Sequence, residues 1–438
     1  MKISNWGLFP WIDAQTVSSK EELIDQLKEK STLIARGMGR CYGDSSLNDL
    51  IWSALQYSEI VEFDDRTGRV TCEAGVTLEK ILSVVVPKGW FLPVTPGTKY
   101  VSVGGAVASD IHGKNHHNLG GFCQHLFWFK LMLADGKIVT CSSTDNSDLF
   151  NATCGGMGLT GCILEASFQL LKIETSYIRQ TQLKLPNIDA AIDAFEQMSA
   201  VTYSVAWIDC LATGANLGRS VLFLGEHARL DELSDRERQE PLVVDVKPKR
   251  SIPFYFPKFA LSTWSVKLFN WVYYYGHPAK RESLVHYGPF FYPLDKILHW
   301  NRMYGRRGFT QYQCVIPKNC GREGMNAILK ELSQSGEGSF LAVLKLLGPE
   351  DFLISFPMEG YTLALDIPIK SKNFELMNRL DQIVLRYGGR LYLSKDARMP
   401  AEMMRKGYPK LPQFIDIKQK FDPNRQFESL QSKRLGLQ

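Results

Sequence analysis

Residues 93–121, PVTPGTKYVSVGGAVASDIHGKNHHNLGG, decide how the rest of the chain is read. The stretch is too rich in glycine for a core helix and too long for a tight turn. Val101 and Val103 alternate ahead of Gly104 and Gly105, which predicts a short strand running into a turn. Gly104, Gly105, Ala106, Ala108 and Ser109 put no bulky side chain between backbone and ligand, so amide groups can approach one closely. His112, Gly113, Lys114 and Asn115 follow beside that floor of small residues. Taken alone, the pattern also fits a solvated glycine loop with incidental histidines. Two further glycine turns tip the reading towards a ligand.

The first lies upstream, in TLIARGMGRCYGDSSLN (32–48). Leu33 to Ala35 read as a buried strand, and Gly37, Gly39 and Gly43 as the turn after it, an arrangement suited to presenting amides to a phosphate. It differs from the dinucleotide fingerprint of parallel sheets, because no third glycine at the required spacing opens a helix. The second is GGMGLTG (155–161), followed by the alternation of residues 162–170. Around them, 18–30 predicts a serine-capped helix, 60–63 and 69–73 paired strands, and 77–86 a helix. Three such turns mixed with short strands point to a long ligand held by main chain.

The 438 residues are 45% hydrophobic and 22% charged, a globular composition with room for a sizeable core. A net charge of +5 permits anionic ligands or a membrane surface and gives no argument for nucleic acid. The nine scattered cysteines form no CxxC pair and suit reduced thiols. No secretory signal or run of 18 apolar residues is visible, so a cytoplasmic protein is expected.

RGMGRCYGD, DIHGKNHH, LADGKIV and GGMGLTG resemble the vanillyl-alcohol-oxidase (PCMH-type) FAD-binding fold. With TQYQCVIP, FLAVLK, LDIPIK, GGRLYLSKDAR and KFDPNRQF, they are similar more narrowly to FAD-dependent decaprenylphosphoryl-β-D-ribose 2-oxidase-like oxidoreductases. The likeness covers most of the chain, with 180–305 weakly matched. It implies an α+β architecture of two domains: an FAD domain over 1–174, an antiparallel-sheet substrate domain over 175–390, and a segment, 391–438, completing the first. Segments 311–317, 340–346 and 361–369 read as strands and 374–387 as a helix, compatible with that division.

The resemblance also implies a reaction: oxidation of the 2-hydroxyl of a polyprenyl-phosphate pentose to the 2-keto sugar, hydride passing to flavin N5. The cofactor-contacting positions it carries over are Arg36, Gly37, Met38, Gly39, Arg40, Cys41, Thr98, Ser102, Gly104, Gly105, Ala108, Ser109, His112, Gly113, Asn115, Gly156, Gly158, Gly161, Ile163 and Lys395. Arg40 stands where many members of the fold carry a histidine bonded to FAD, and Thr98 and Lys99 stand near the place of the alternative cysteine. FAD is therefore expected to be non-covalent. Lys395, His112 and Tyr42 are the catalytic candidates: an ammonium stabilises the anionic edge of reduced flavin, and a histidine orients the ring or the reacting hydroxyl. Gln311, Tyr312, Gln313 and Lys345 are expected to face the substrate. Ala364 occupies the place of a cysteine that covalent inhibitors attack in the family.

His112, His116, His117 and His125 lie close in sequence, but their Gly/Asn-rich setting opposes a regular helix and no familiar metal spacing is completed; no metal is expected. In 251–304, Leu261, Trp264, Leu268, Trp271 and Tyr275 recur on one helical face, with Lys258, Lys267, Lys280 and Arg281 around it. The first reading is a helix buried against the substrate domain. The second is a helix at a bilayer interface or over a lipid chain, giving a peripheral contact at the inner membrane face. Expected partners are a polyprenyl-phosphate sugar or another small polyol, and a short-chain dehydrogenase/reductase that completes epimerisation. The competing readings are an alditol or aldonolactone oxidase of the same fold, and a flavin- or lipid-binding module without turnover.

Overall fold

The computed structural model describes residues 1–244, 250–257, 262–339 and 341–437; Lys258, Leu261 and Phe340 lie outside them. Three larger sheets organise the chain. Gln15–Val17, Leu50–Ser53 and Ile34–Arg36 form a parallel sheet with Leu50–Ser53 in the middle, and Phe427 adds a parallel bridge at Leu33. A five-stranded antiparallel sheet runs in the order Ile138–Cys141, Leu126–Met132, Cys162–Gln169, Arg69–Glu73, Ile60–Asp64. An eight-stranded antiparallel sheet follows the order Lys280–His286, Tyr177–Leu185, Ser220–His227, Tyr203–Ile208, Ala342–Leu347, Gly360–Pro368, Phe309–Pro317, Arg390–Leu391.

Local chemistry explains the elements found where expected. Ser19 accepts from the Glu22 amide while Glu22 reaches back, a capping box that starts helix Lys20–Lys28. Thr77 caps Leu78–Val85 in the same way with one bond. In the eight-stranded sheet, Tyr312, Cys314, Leu344, Leu346, Leu363 and Leu365 form one core with Ile192, Leu329 and Leu380 of helices Ile188–Gln197, Gly321–Ser335 and Ser371–Arg386. The opposite face, set by the same alternation, carries Gln311, Gln313, Val343, Lys345, Thr362, Ala364 and Asp366. That second face positions the site.

Three expectations are corrected. Val101 to Gly105 is not a strand: Val103–Ala108 is a short helix with Ser102 at its N-cap. Val103, Ala106 and Val107 are its buried residues, spaced at i, i+3 and i+4, and Gly104 sits so close to Ala74 that a Cβ there would come within 2.9 Å of the Ala74 Cβ. The histidine-rich segment does hold a turn of helix, His116–Leu119.

The third correction concerns the aromatic helix, Thr263–Gly276, capped by Ser262. Only Val266, Asn270 and Tyr274 of it are buried. Trp264 is 73% exposed and Trp271 55%, with Leu268, Phe269, Val272 and Tyr275 exposed beside them. A buried amide anchors it: Asn270 Nδ2 donates to Asp209 Oδ1 at 2.7 Å. The expectation of a face buried against the substrate domain therefore fails for the described residues. No helix among the described residues is long and apolar enough to cross a membrane.

Candidate active site

The three glycine turns converge. A Cβ on Gly37 would stand 1.9 Å from Ser102 Oγ, so the first turn lies directly against the N-cap of Val103–Ala108. The Gly155 amide donates to the Val107 carbonyl at 3.0 Å and the Met157 amide to the Ala108 carbonyl at 2.8 Å, bringing the third turn to the same helix. Gly39 has φ +59° with the Arg36 guanidinium across it, a left-handed conformation that glycine adopts without strain. A Cβ on Gly158 would lie 3.6 Å from Ile34 Cδ1, so this turn also packs on the strand that leads into the first. Asn115 Nδ2 ties the loop back to the Pro93 carbonyl at 2.7 Å, and a Cβ on Gly113 would meet the Thr95 carbonyl at 3.0 Å.

The remaining cofactor candidates surround this cradle or lie at its edge. Ser109 accepts through its carbonyl from the Tyr392 hydroxyl at 2.9 Å. Arg40 stacks on Trp6 at 4.1 Å, Cys41 Sγ lies 3.2 Å from Ser46 Oγ, and Met38 is half-buried. Thr98 Oγ1 accepts from the Tyr100 amide at 3.2 Å, next to the Lys99 amide that donates to Asp295. Gly161 and Ile163 sit at the start of strand Cys162–Gln169, where Ile163 is paired with Leu131 in the core of the five-stranded sheet.

Around the cradle stand the reactive candidates. The Tyr42 amide donates to the Ser394 carbonyl at 2.9 Å, joining the first turn to the segment that carries Lys395. Lys395 Nζ lies 4.1 Å from the centre of the Tyr42 ring. Its neighbour Asp396 does not pair with it: Asp396 accepts from Arg434 at 2.8 Å and from the amides of Arg398 and Met399. Burial pulls the Lys395 ammonium down to about 8, with Asp366 opposing the shift. His112 is sandwiched near Phe356 and Tyr392, its Nε2 is 2.9 Å from Gln313 Nε2, and its buried Nδ1 has no partner among the described residues. Burial, then Lys345, hold this imidazole well below its ordinary value and so neutral. Burial likewise keeps Tyr42 protonated.

Gln311 and Gln313 share the face with these groups; Tyr312 does not. Its hydroxyl donates to Asp381 at 3.0 Å on the helix side, because adjacent strand residues point to opposite faces. The sequence reading therefore put one residue too many in the substrate set. It also missed Asp366, which accepts from Gln311 Nε2 at 2.6 Å and from the Tyr304 hydroxyl at 3.0 Å. Burial raises its carboxyl to about 6. Gln311 Nε2 lies a further 3.5 Å from Tyr42 Oη, so Asp366, Gln311 and Tyr42 form one chain beneath Lys395. Phase was the available signal: in LALDIP, Asp366 alternates with Ala364, two residues from the position already singled out. A cavity of about 240 Å³ connects Asp366 and Tyr304 with Ser262, Thr263 and Val266 at the foot of the aromatic helix.

His112 and His116 meet edge to face with ring centres 6.4 Å apart, but among the described residues no three ligating side chains come together. The His116 Nδ1 accepts from the Gly348 amide at 3.1 Å, while His117 and His125 bond the carbonyls of Val201 and Leu119.

Two observations fit a flavin. The converging turns leave main chain uncovered by Cβ atoms, and the orphaned His112 Nδ1 is a buried polar atom that a bound ring system would satisfy. In agreement, residues 15–142 match the FAD binding domain, which makes this chain a flavoprotein. Along its whole length it is 37% identical, over 450 residues, to the decaprenylphosphoryl-beta-D-ribose oxidase of Mycolicibacterium smegmatis, covering 97% of that protein. It is also similar to L-gulonolactone oxidase of Mus musculus, 22% identical over 84% of this chain and 81% of that one. A shorter likeness, 31% over 27% of this chain and 23% of the relative, links it to Delta(24)-sterol reductase of Homo sapiens. The chain belongs to the decaprenylphosphoryl-β-D-ribose oxidase family.

Proposed function

We propose that this protein oxidises the 2-hydroxyl of a polyprenyl-phosphate pentose to the 2-keto sugar, using non-covalent FAD. The observation that carries the reading is the full-length likeness to the ribose oxidase, with the Lys395 ammonium seated over Tyr42 at the glycine cradle. Bound FAD supplies the acceptor for the hydride that leaves the sugar carbon. Gly37, Gly39, Gly104, Gly105, Gly156 and Gly158 hold the nucleotide through main chain, and Arg40, stacked on Trp6, takes the place of a covalent link. Lys395, charged at neutral pH, steadies the negative charge that arrives with the hydride. Neutral His112 and protonated Tyr42 orient the reacting hydroxyl, and Asp366 is the carboxylate on the same face towards which its proton leaves.

The same reading divides the chain into an FAD domain over 1–174 with 391–438, and a substrate domain over 175–390. The bridge from Leu33 to Phe427 and the bond from Gln426 Nε2 to the Leu27 carbonyl, 2.8 Å, support it; strand Arg390–Leu391, which joins the eight-stranded sheet, marks the crossing. The exposed aromatic helix, with Lys267, Lys280 and Arg281 exposed nearby, suits a peripheral seat on the inner membrane face and a cover for the polyprenyl tail. A 2-keto product calls for a carbonyl reductase of the short-chain dehydrogenase class to complete epimerisation. The test is anaerobic mixing of the FAD-loaded protein with polyprenylphosphoryl ribose while flavin absorbance is followed. Rapid bleaching with the glycolipid and not with free alditols or aldonolactones is expected; the reverse order of reactivity would overturn the reading.

A further inference from the structure

Lys345 lies on Ala342–Leu347 directly opposite Thr362, on the face that carries the site. Thr362 Oγ1 accepts from Gln313 Nε2 at 3.2 Å, and Gln313 in turn meets His112. Directly opposed side chains on neighbouring strands start about 5 Å apart, so Lys345 is one cross-strand step from the groups placed at the reacting carbon. Its side chain is half-buried, and the ammonium groups of Lys395 and Lys114 are close enough to feel its charge. Burial first, then the repulsion of Lys395, bring its ammonium down to about 8, with no carboxylate among the described residues opposing the shift. Lys114, whose ammonium donates to the Phe290 carbonyl and stacks on the Phe290 ring at 4.2 Å, is brought down to about 7 by burial first and then by Lys345. Asp366, the carboxylate of this face, is occupied by Tyr304 and Gln311 and opposes the shift of Lys395. Lys345 thus faces the ammonium of Lys395 with no carboxylate acting on it among the described residues, and an entering anion would relieve that repulsion.

Resting on the function proposed above, the chemistry of the substrate says where that anion must be. In a polyprenylphosphoryl pentose the phosphodiester is on C1, one carbon from the hydroxyl that reacts. Its binding group must therefore stand beside the groups at C2 and on the side from which the lipid leaves. Lys345 meets both conditions. Two residues back along its strand, Val343 is paired with Trp207, which packs with Val221 and with Tyr274 of the aromatic helix. We propose that Lys345 is the phosphate-binding residue of the site, taking the C1 phosphodiester with Lys114 in support. A lysine suits this task as a compact charge with three rotatable donors, tolerant of a tetrahedral anion whose ester arms point in two directions.

The test compares wild type with Lys345→Met and Lys345→Arg, each loaded with FAD. Two readouts are taken: flavin reduction by a short-chain polyprenylphosphoryl ribose and by the alkyl riboside without phosphate, and the change in flavin absorbance on titration with inorganic phosphate. Losing one charged hydrogen bond should raise KM for the phosphodiester by on the order of 10- to 100-fold in Lys345→Met, with a much smaller change in limiting rate. KM for the riboside should stay near wild type, Lys345→Arg should recover part of the affinity, and the phosphate titration should flatten. An equal KM rise for both substrates, or an unchanged phosphate titration, would overturn the assignment. If wild type is not reduced by the glycolipid, the proposed function fails instead, and the phosphate titration still decides the role of Lys345.

Discussion

The glycine cradle and the open face of the eight-stranded sheet meet at one place but are built on opposite principles. At the cradle, side chains are absent where they matter: Gly37 against Ser102 and Gly156 against the Ala152 carbonyl leave space only for hydrogen. On the sheet face, side chains are everything: Lys345, Asp366, Gln311 and Gln313 share a surface whose reverse is a packed core, and Lys395 faces them from the turn after strand Arg390–Leu391. A region that works through main chain is broken by added volume. A region that works through charge is broken by a lost proton or ammonium.

Breaking the cradle should have the largest effect. Gly37→Val places a branched side chain where even a Cβ would be 1.9 Å from Ser102 Oγ, so the variant should purify without FAD and without activity. Flavin absorbance per polypeptide checks this, and full occupancy would remove main chain from the account. Breaking the charge comes next. Lys395→Ala should keep FAD yet lose on the order of 10²–10³ in the rate of substrate-driven reduction, measured by stopped flow. Loss of FAD in that variant would make its role structural.

The pH dependence sharpens the contrast by a smaller factor. Burial brings the Lys395 ammonium down to about 8, so it is charged below that pH and reduction should slow as pH rises through it. Asp366 raises the Lys395 value, so Asp366→Asn should lower the rate at every pH by removing the proton acceptor, and move the fall to lower pH, while leaving cofactor content alone. An unmoved midpoint in the rate profile would separate the two groups. The smallest effect on fold is expected at the rim: Trp264→Ala with Trp271→Ala, both exposed, should change stability by no more than about 0.5 kcal/mol per site. Co-sedimentation with anionic vesicles should nevertheless fall. Unfolding of the pair would mean that the helix is core after all.

What the sequence made legible follows the same division. Glycine turns announce themselves because few other residues tolerate their geometry, and those around Gly39 and Gly158 are turns in the structure; Gly104 and Gly105 instead lie in helix Val103–Ala108, hidden by two valines that mimic strand spacing. Lys395 and His112 stood out inside distinctive motifs. Asp366 and Tyr304 did not, since their pairing joins residues 62 positions apart and only the strand phase relates Asp366 to Gln311. Tyr312 was included for its polarity when phase alone sends it to the helix side. The aromatic helix had the right register and the wrong burial, because periodicity identifies a face without saying what covers it.

The central claim, that hydride leaves C2 of a phosphorylated ribose for bound FAD, is tested most directly by isotopic substitution. Polyprenylphosphoryl ribose deuterated at C2 should slow anaerobic flavin bleaching several-fold, whereas deuterium at C3 should leave the rate unchanged. Equal rates for the C2-deuterated and unlabelled glycolipid, with the slowing found at C3 instead, would contradict it.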